Sequence, residues 1–155
     1  MSKERFTELM HQVAESLVDL PVGQEMADHL NATFPKDGPL FEEMTALCAK
    51  GEREGWLMGR EQGGIKFGRA LKPGSGAGRF SVDVVRMNNL IGPHHIHPNG
   101  EIGAVMPIEG DPTFDGRGPG WYVYPPGSHH HPTVAGGDAY VLYLLPEGAI
   151  EFTNR

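Results

Sequence analysis

Six of the eight histidines in this 155-residue chain fall in two short clusters. The first is His94-His95-Ile96-His97, followed by Glu101; the second is His129-His130-His131, just after Pro125-Pro126-Gly127. Neutral imidazole and carboxylate together suit a divalent first-row transition ion. Alternate side chains of a strand share a face, so His95 and His97 can reach the same ion. Pro98-Asn99-Gly100 is turn chemistry that can carry the Glu101 carboxylate back to it. A fourth donor is expected from the second cluster, where His129, His130 and His131 all qualify by type.

Such donors converge only if something folds them together. Phe6, Leu9, Val13 and Leu17 recur at three- and four-residue steps and predict a helix over 2–19. A second helical segment is expected over 24–30. A third should start at Pro39, carry Leu40, Phe41, Met44, Leu47 and Cys48 on one stripe, and end at Gly51. Cys48 and the methionines read as core packing, and His11 and His29 as surface or interface residues on these helices. From Trp56 the period changes. Segments 65–71, 79–87, 101–108, 121–124 and 139–145 are rich in strand formers and broken by glycine and proline. The stretches 72–78 and 110–120 read as connections. The whole predicts a mainly β single domain over 1–155. It has a helical N-terminal extension over 1–54 and a small barrel or jelly roll of six to eight strands over 55–155.

Composition narrows the partners. An apolar content of 39% supports one core, and 22 glycines with 13 prolines favour short strands and tight turns. A formal charge of −7 without clustered Lys or Arg argues against a nucleic-acid partner. With Cys48 as the sole cysteine no intrachain disulfide forms, so a reduced cytoplasm fits. No apolar run approaches the roughly 20 residues that span a bilayer, and the amino terminus lacks a signal core, so no membrane association or processing is expected. The apolar helical preface suggests a homodimer.

The clusters resemble the two motifs of the cupin superfamily: His-x-His, three or four residues, then Glu; and Pro-x-Gly-x-x-His. Here they read His95-Ile96-His97-Pro98-Asn99-Gly100-Glu101 and Pro125-Pro126-Gly127-Ser128-His129-His130. The resemblance implies a cupin-type β-barrel holding a divalent metal through His95, His97, Glu101 and His130, with His129 the rival for the fourth place. Three imidazoles and a carboxylate leave open positions on a six-coordinate ion, the mark of a reactive site. Without thiolate donors Fe(II) or Mn(II) is favoured, and Zn(II), Ni(II) or Co(II) also fit.

The helical preface and both His segments together are similar to a small bacterial cupin family whose named member is 4-hydroxylaminobenzoate lyase. That resemblance implies conversion of 4-hydroxylaminobenzoate to 3,4-dihydroxybenzoate with release of ammonia in nitroaromatic breakdown. A general acid is then required, with His94, His131, Tyr122 and Tyr124 as the catalytic candidates. The substrate carboxylate calls for an arginine, Arg86, Arg69 or Arg79, and Trp121 is a candidate to stack on the ring. Two other readings stand: an Fe(II)-dependent cupin dioxygenase acting on a small aromatic or thiol compound, and a non-catalytic metal or small-molecule binder. A phosphosugar isomerase is disfavoured, because the acidic chain has no phosphate cradle.

Overall fold

Apolar residues at helical spacing fold the first third of the chain into three helices. The computed structural model describes residues 2–153. Helix α1 (Ser2–Ser16) buries Phe6, Leu9, Met10, Val13 and Ala14, and α2 (Gln24–Thr33) buries Met26, Ala27 and Leu30. Helix α3 (Pro39–Glu54) opens on Pro39 behind an extended Gly38, and closes at Gly55, whose φ of 84° is the left-handed cap. Gly51 was expected to end this helix and instead lies inside it. A Cβ there would come within 2.7 Å of the Leu57 side chain, so the glycine is needed where the chain folds back on the helix.

Nine strands follow among the described residues: β1 (Arg60–Gln62), β2 (Ile65–Leu71), β3 (Phe80–Ile91), β4 (His95–His97), β5 (Glu101–Phe114), β6 (Gly120–Tyr124), β7 (Ser128–His130), β8 (Thr133–Pro146) and β9 (Glu151–Phe152). They form a six-stranded sheet in the order β1-β2-β3-β8-β5-β6 and a three-stranded sheet in the order β7-β4-β9. Every recorded pairing is antiparallel. This is the mainly β, cupin-type arrangement with an N-terminal helical segment that the motifs imply. The stretch 110–120 was expected as a connection, yet β5 runs on to Phe114 against β8. Gly110 of β5 and Gly136 and Gly137 of β8 serve close backbone approach. Side chains at Gly136 and Gly137 would strike the backbone of Asp111 and Glu109, where the register shifts.

The large sheet is covered on both faces. On one, Val82, Val84, Ile102, Ala104, Met106, Leu142 and Leu144 join the buried residues of all three helices, Cys48 included, in one core. Each fully buried leucine there contributes about 1.5–3 kcal/mol. The apolar stripes of α1 and α3 are thus spent within the chain. Polar bonds fasten the same layer: Glu52 of α3 accepts from Arg86 Nη1 at 2.9 Å, Lys66 Nζ at 3.1 Å and Tyr140 Oη at 2.6 Å. Helix α2 covers the edge strand β6. Asn31 Nδ2 donates to Trp121 O at 3.0 Å, and Trp121 N donates back to Asn31 Oδ1 at 3.0 Å. On the opposite, inner face Met87, Val105, Phe114, Tyr122, Val134, Ala139 and Val141 form a second cluster, and the candidate site lies there. No helix of the described residues is long and apolar enough to cross a membrane.

Candidate metal centre

Strand parity assembles the site. His95 and His97 are buried on one side of β4, with Ile96 between them on the other. In the β4/β7 ladder His95 faces His130 and Ile96 faces His129, so His130 shares the side of His95 and His97 while His129 turns away. Glu101 opens β5 after the turn at Pro98-Asn99-Gly100, where Gly100 takes a φ of 91°. His95 Nε2 and His97 Nε2 lie 3.0 and 3.1 Å from His130 Nε2, and Glu101 Oε1 lies 2.5 Å from His97 Nε2 and 3.8 Å from His130 Nε2. One donor atom from each of the four residues falls within 4.8 Å of all the others.

These residues fit a metal ion. Neighbouring ligands of a six-coordinate ion with bonds of about 2.1 Å stand about 3.0 Å apart, close to the imidazole separations here. Three ring nitrogens cannot all satisfy one another by hydrogen bonding, since a neutral imidazole has one donor and one acceptor. Burial, reinforced by His97 and His130, pushes the His95 imidazole down to about 4, so at neutral pH it keeps a free lone pair. Burial works to raise the Glu101 carboxyl, but hydrogen bonds from His97 and Tyr122 outweigh it and hold the group below its ordinary value. The site therefore presents a neutral His95 imidazole beside an ionised Glu101 carboxylate, forms that bind cations.

A layer of hydrogen bonds aims the donors. Tyr122 Oη donates to Glu101 Oε2. Burial and the Glu101 charge raise the Tyr122 phenol well above its ordinary value, so it remains a donor. The ring reaches Glu101 by lying over Gly103, where a Cβ would collide with it. Asp115 Oδ2 accepts from His130 Nδ1 at 2.6 Å and from Tyr124 Oη at 2.6 Å, and its Oδ1 accepts from Thr133 N at 2.9 Å. That carboxylate fixes the His130 tautomer, with the proton on Nδ1 and the lone pair on Nε2. Asp115 holds a φ of 51°, an uncommon conformation for a side-chain-bearing residue, at the turn joining β5 to β6. Sequence reasoning missed it because it sits in the stretch taken as a plain connection. The Asp115-Gly116 dipeptide, a hairpin signal, was the available clue.

Of the other expected site residues, Tyr124 stays beside His130 through Asp115, and the rest lie apart from the four donors. His94 Nδ1 lies 2.5 Å from Thr153 Oγ1 and its Nε2 lies 3.0 Å from His129 Nδ1, while the His131 ring is 4.9 Å from the His94 ring. These three imidazoles form a group of their own, separate from the four donors. Arg86 does not reach the site. It alternates with Val84 on the helix-covered face and is held by Asp138 at 2.7 Å and by Glu52. Trp121 is likewise on that face, edge-on to Phe41 with its indole N–H on Phe34 O at 2.9 Å, so it cannot stack on a ring at the donors. Arg79 pairs with exposed Glu147. Tyr124 is drawn to Asp115 and lies beneath the Arg117 guanidinium, 4.7 Å from the ring centre. Arg69 is on the inner face, bonded to Asp83.

Comparison with known proteins agrees with this architecture. Residues 8–152 match the family model described as PnbB, 4-hydroxylaminobenzoate lyase. A 4-hydroxylaminobenzoate lyase of Nocardioides sp. (strain LMS-CY) is 30% identical over 139 residues, covering 84% of this chain and 82% of that protein. One from Pseudomonas putida is 28% identical over 140 residues, covering 79% and 80%. Among solved structures, one from work on the DMSP lyases RdDddP and RnDddQII overlays on 99% of this chain and 100% of its own with a TM-score of 0.57. At 14% identity it shares the fold alone. The chain therefore belongs to the 4-hydroxylaminobenzoate lyase family.

Proposed function

We propose that this protein is a metal-dependent lyase that converts 4-hydroxylaminobenzoate to 3,4-dihydroxybenzoate with release of ammonia. Its atoms balance with one water taken up, and the reaction needs no outside oxidant. The observation that carries the reading is the convergence of His95, His97, Glu101 and His130 on one buried point of the inner face, in a chain of this family. Those four residues would hold the ion, Fe(II) or Mn(II) by preference and Zn(II) or Ni(II) as alternatives. Once bound, a divalent ion supplies Lewis acidity toward the hydroxylamino oxygen and lowers the pKa of water.

The chain's own residues do the rest. Asp115 keeps the His130 Nε2 lone pair turned inward, and Tyr122 holds Glu101 Oε2 so that Oε1 is the oxygen turned to the imidazoles. Tyr122 Oη, the hydroxyl in contact with the donor cluster through Glu101, is the proposed source of the proton that the departing nitrogen requires. Burial of His97 and Glu101 limits competing water at the reacting atoms.

An anaerobic assay with elemental analysis tests this reading. Metal-loaded protein should release ammonia and 3,4-dihydroxybenzoate in equal amounts without dioxygen. A strict requirement for dioxygen would replace the lyase by the oxygenase reading, and bound metal without turnover would leave a binding module.

A further inference from the structure

We propose that Arg69 forms a carboxylate-binding point on the inner face beside the donor cluster and selects hydroxylamino-aromatic acids over the same ring lacking the acid group. This rests on the lyase reading above and deepens it. One row of paired residues crosses the inner face. Gly103 of β5 faces Tyr122 of β6 and Tyr143 of β8, Tyr143 faces Asp83 of β3, and Asp83 faces Arg69 of β2. Paired residues point to one side of a sheet, and Glu101 lies two residues before Gly103 on that same side. The row therefore joins the donor cluster to a guanidinium.

The Arg69 fork sits over β3, with Nε 3.1 Å from Asp83 Oδ1 and Nη2 3.3 Å from both Asp83 Oδ2 and Gly148 O. Among the described residues no protein acceptor meets Nη1, which leaves donors for a ligand oxygen. Strand β3 lies two strand spacings from β5, about 10 Å. A para-substituted benzoate with its nitrogen substituent at the Glu101 end spans that gap to its carboxylate. The half-buried Tyr143 lies along the path. Phe152, on the last strand of the small sheet, packs its ring 5.4 Å from that of His95 and is 65% exposed, so an aromatic side chain at the surface borders the donors. Arg86 and Arg79 are excluded by their placement, and Arg117 lies over the Tyr124 ring on the far side of the donor cluster, at the β5/β6 turn.

The test compares wild type with Arg69→Gln, Arg69→Lys and Arg117→Gln, all metal-loaded full chains checked for an unchanged melting profile. Binding of 4-aminobenzoate and of aniline is measured by calorimetry, and turnover is measured with 4-hydroxylaminobenzoate and with N-phenylhydroxylamine. Arg69→Gln should weaken 4-aminobenzoate binding and raise KM for the acid substrate roughly ten- to hundredfold, the loss expected of a charge-assisted hydrogen bond. Aniline binding and kcat/KM for N-phenylhydroxylamine should stay unchanged. Arg69→Lys, which keeps the charge but loses the fork and remains informative if Arg69→Gln does not fold, should fall between. Equal effects on acid and acid-free ligands, or a loss confined to Arg117→Gln, would overturn the assignment. Wild type that binds 4-aminobenzoate through Arg69 but turns over neither hydroxylamine would overturn the lyase reading and keep the subsite.

Discussion

Replacing Asp115 by asparagine probes the candidate metal centre without touching any of the four residues proposed to hold the ion. The change is nearly isosteric, and asparagine tolerates the positive φ at this position, so backbone strain is not the variable. A hydrogen bond to a charged group is worth about 1.5–3 kcal/mol and a neutral one about 0.5–1.5 kcal/mol, so the swap should cost the His130 contact about 1–2 kcal/mol. That converts to a roughly five- to thirtyfold weaker metal affinity. The geometry adds to the loss. With its oxygen toward Thr133 N, the asparagine points an N–H₂ at His130 Nδ1 and Tyr124 Oη; flipped, it opposes the Thr133 N–H. The first orientation also favours the wrong His130 tautomer, with a proton on Nε2 where the lone pair is needed. Titration with Mn(II), counting free ion by electron paramagnetic resonance, measures the affinity, and far-UV circular dichroism confirms the fold. An Asp115→Asn protein with wild-type affinity would show that His130 does not depend on this carboxylate.

Three further outcomes are expected. His130→Ala should lose the ion in elemental analysis while His129→Ala retains it, because parity puts only the former beside His95; the reverse result would place the centre on the other side of β7. Gly103→Ala should displace the Tyr122 ring from Glu101 and lower metal content with little change in helical signal, whereas full metal retention would mean that Tyr122 does not orient the carboxylate. The third concerns acid stability. Burial tends to raise the Glu52 carboxyl, but its bonds from Tyr140, Arg86 and Lys66 hold it below the ordinary value of 4.5. A lowered carboxyl adds stability that is fully present above 4.5 and is lost as pH falls through the folded-state value, so Glu52→Gln should flatten that part of the acid unfolding curve. Melting temperatures of the two proteins between pH 3 and 6 measure this, and parallel curves would refute it.

Local signals were the readable part of this chain. The alternation of His95 and His97 and the turn before Glu101 announced that these three side chains converge, and 65–71 appears as β2 with the expected limits. What escaped depends on contacts between distant segments. Both faces of the large sheet are buried, so apolar residues occupy both parities of its strands, and alternation alone could not tell which side of β3 or β6 meets the donors. Arg86 and Trp121 were misplaced for that reason. Asp115 is 15 residues from His130, a separation set by hairpin geometry rather than by any motif. Gly136 and Gly137 look like loop residues in sequence, but their lack of side chains lets β8 run close beside β5.

The Asn31 amide against Trp121 bears on how the protein assembles during synthesis. An outermost ribbon with free N–H and C=O groups invites pairing with a neighbouring chain, and Asn31 engages both groups of Trp121 where β6 passes α2. Because α2 precedes β6 by some 90 residues, the helix leaves the ribosome long before the ribbon it shields. The guard is in place when the vulnerable segment arrives, so a loss of Asn31 should appear first as clumping of newly made chains rather than as a weaker finished fold.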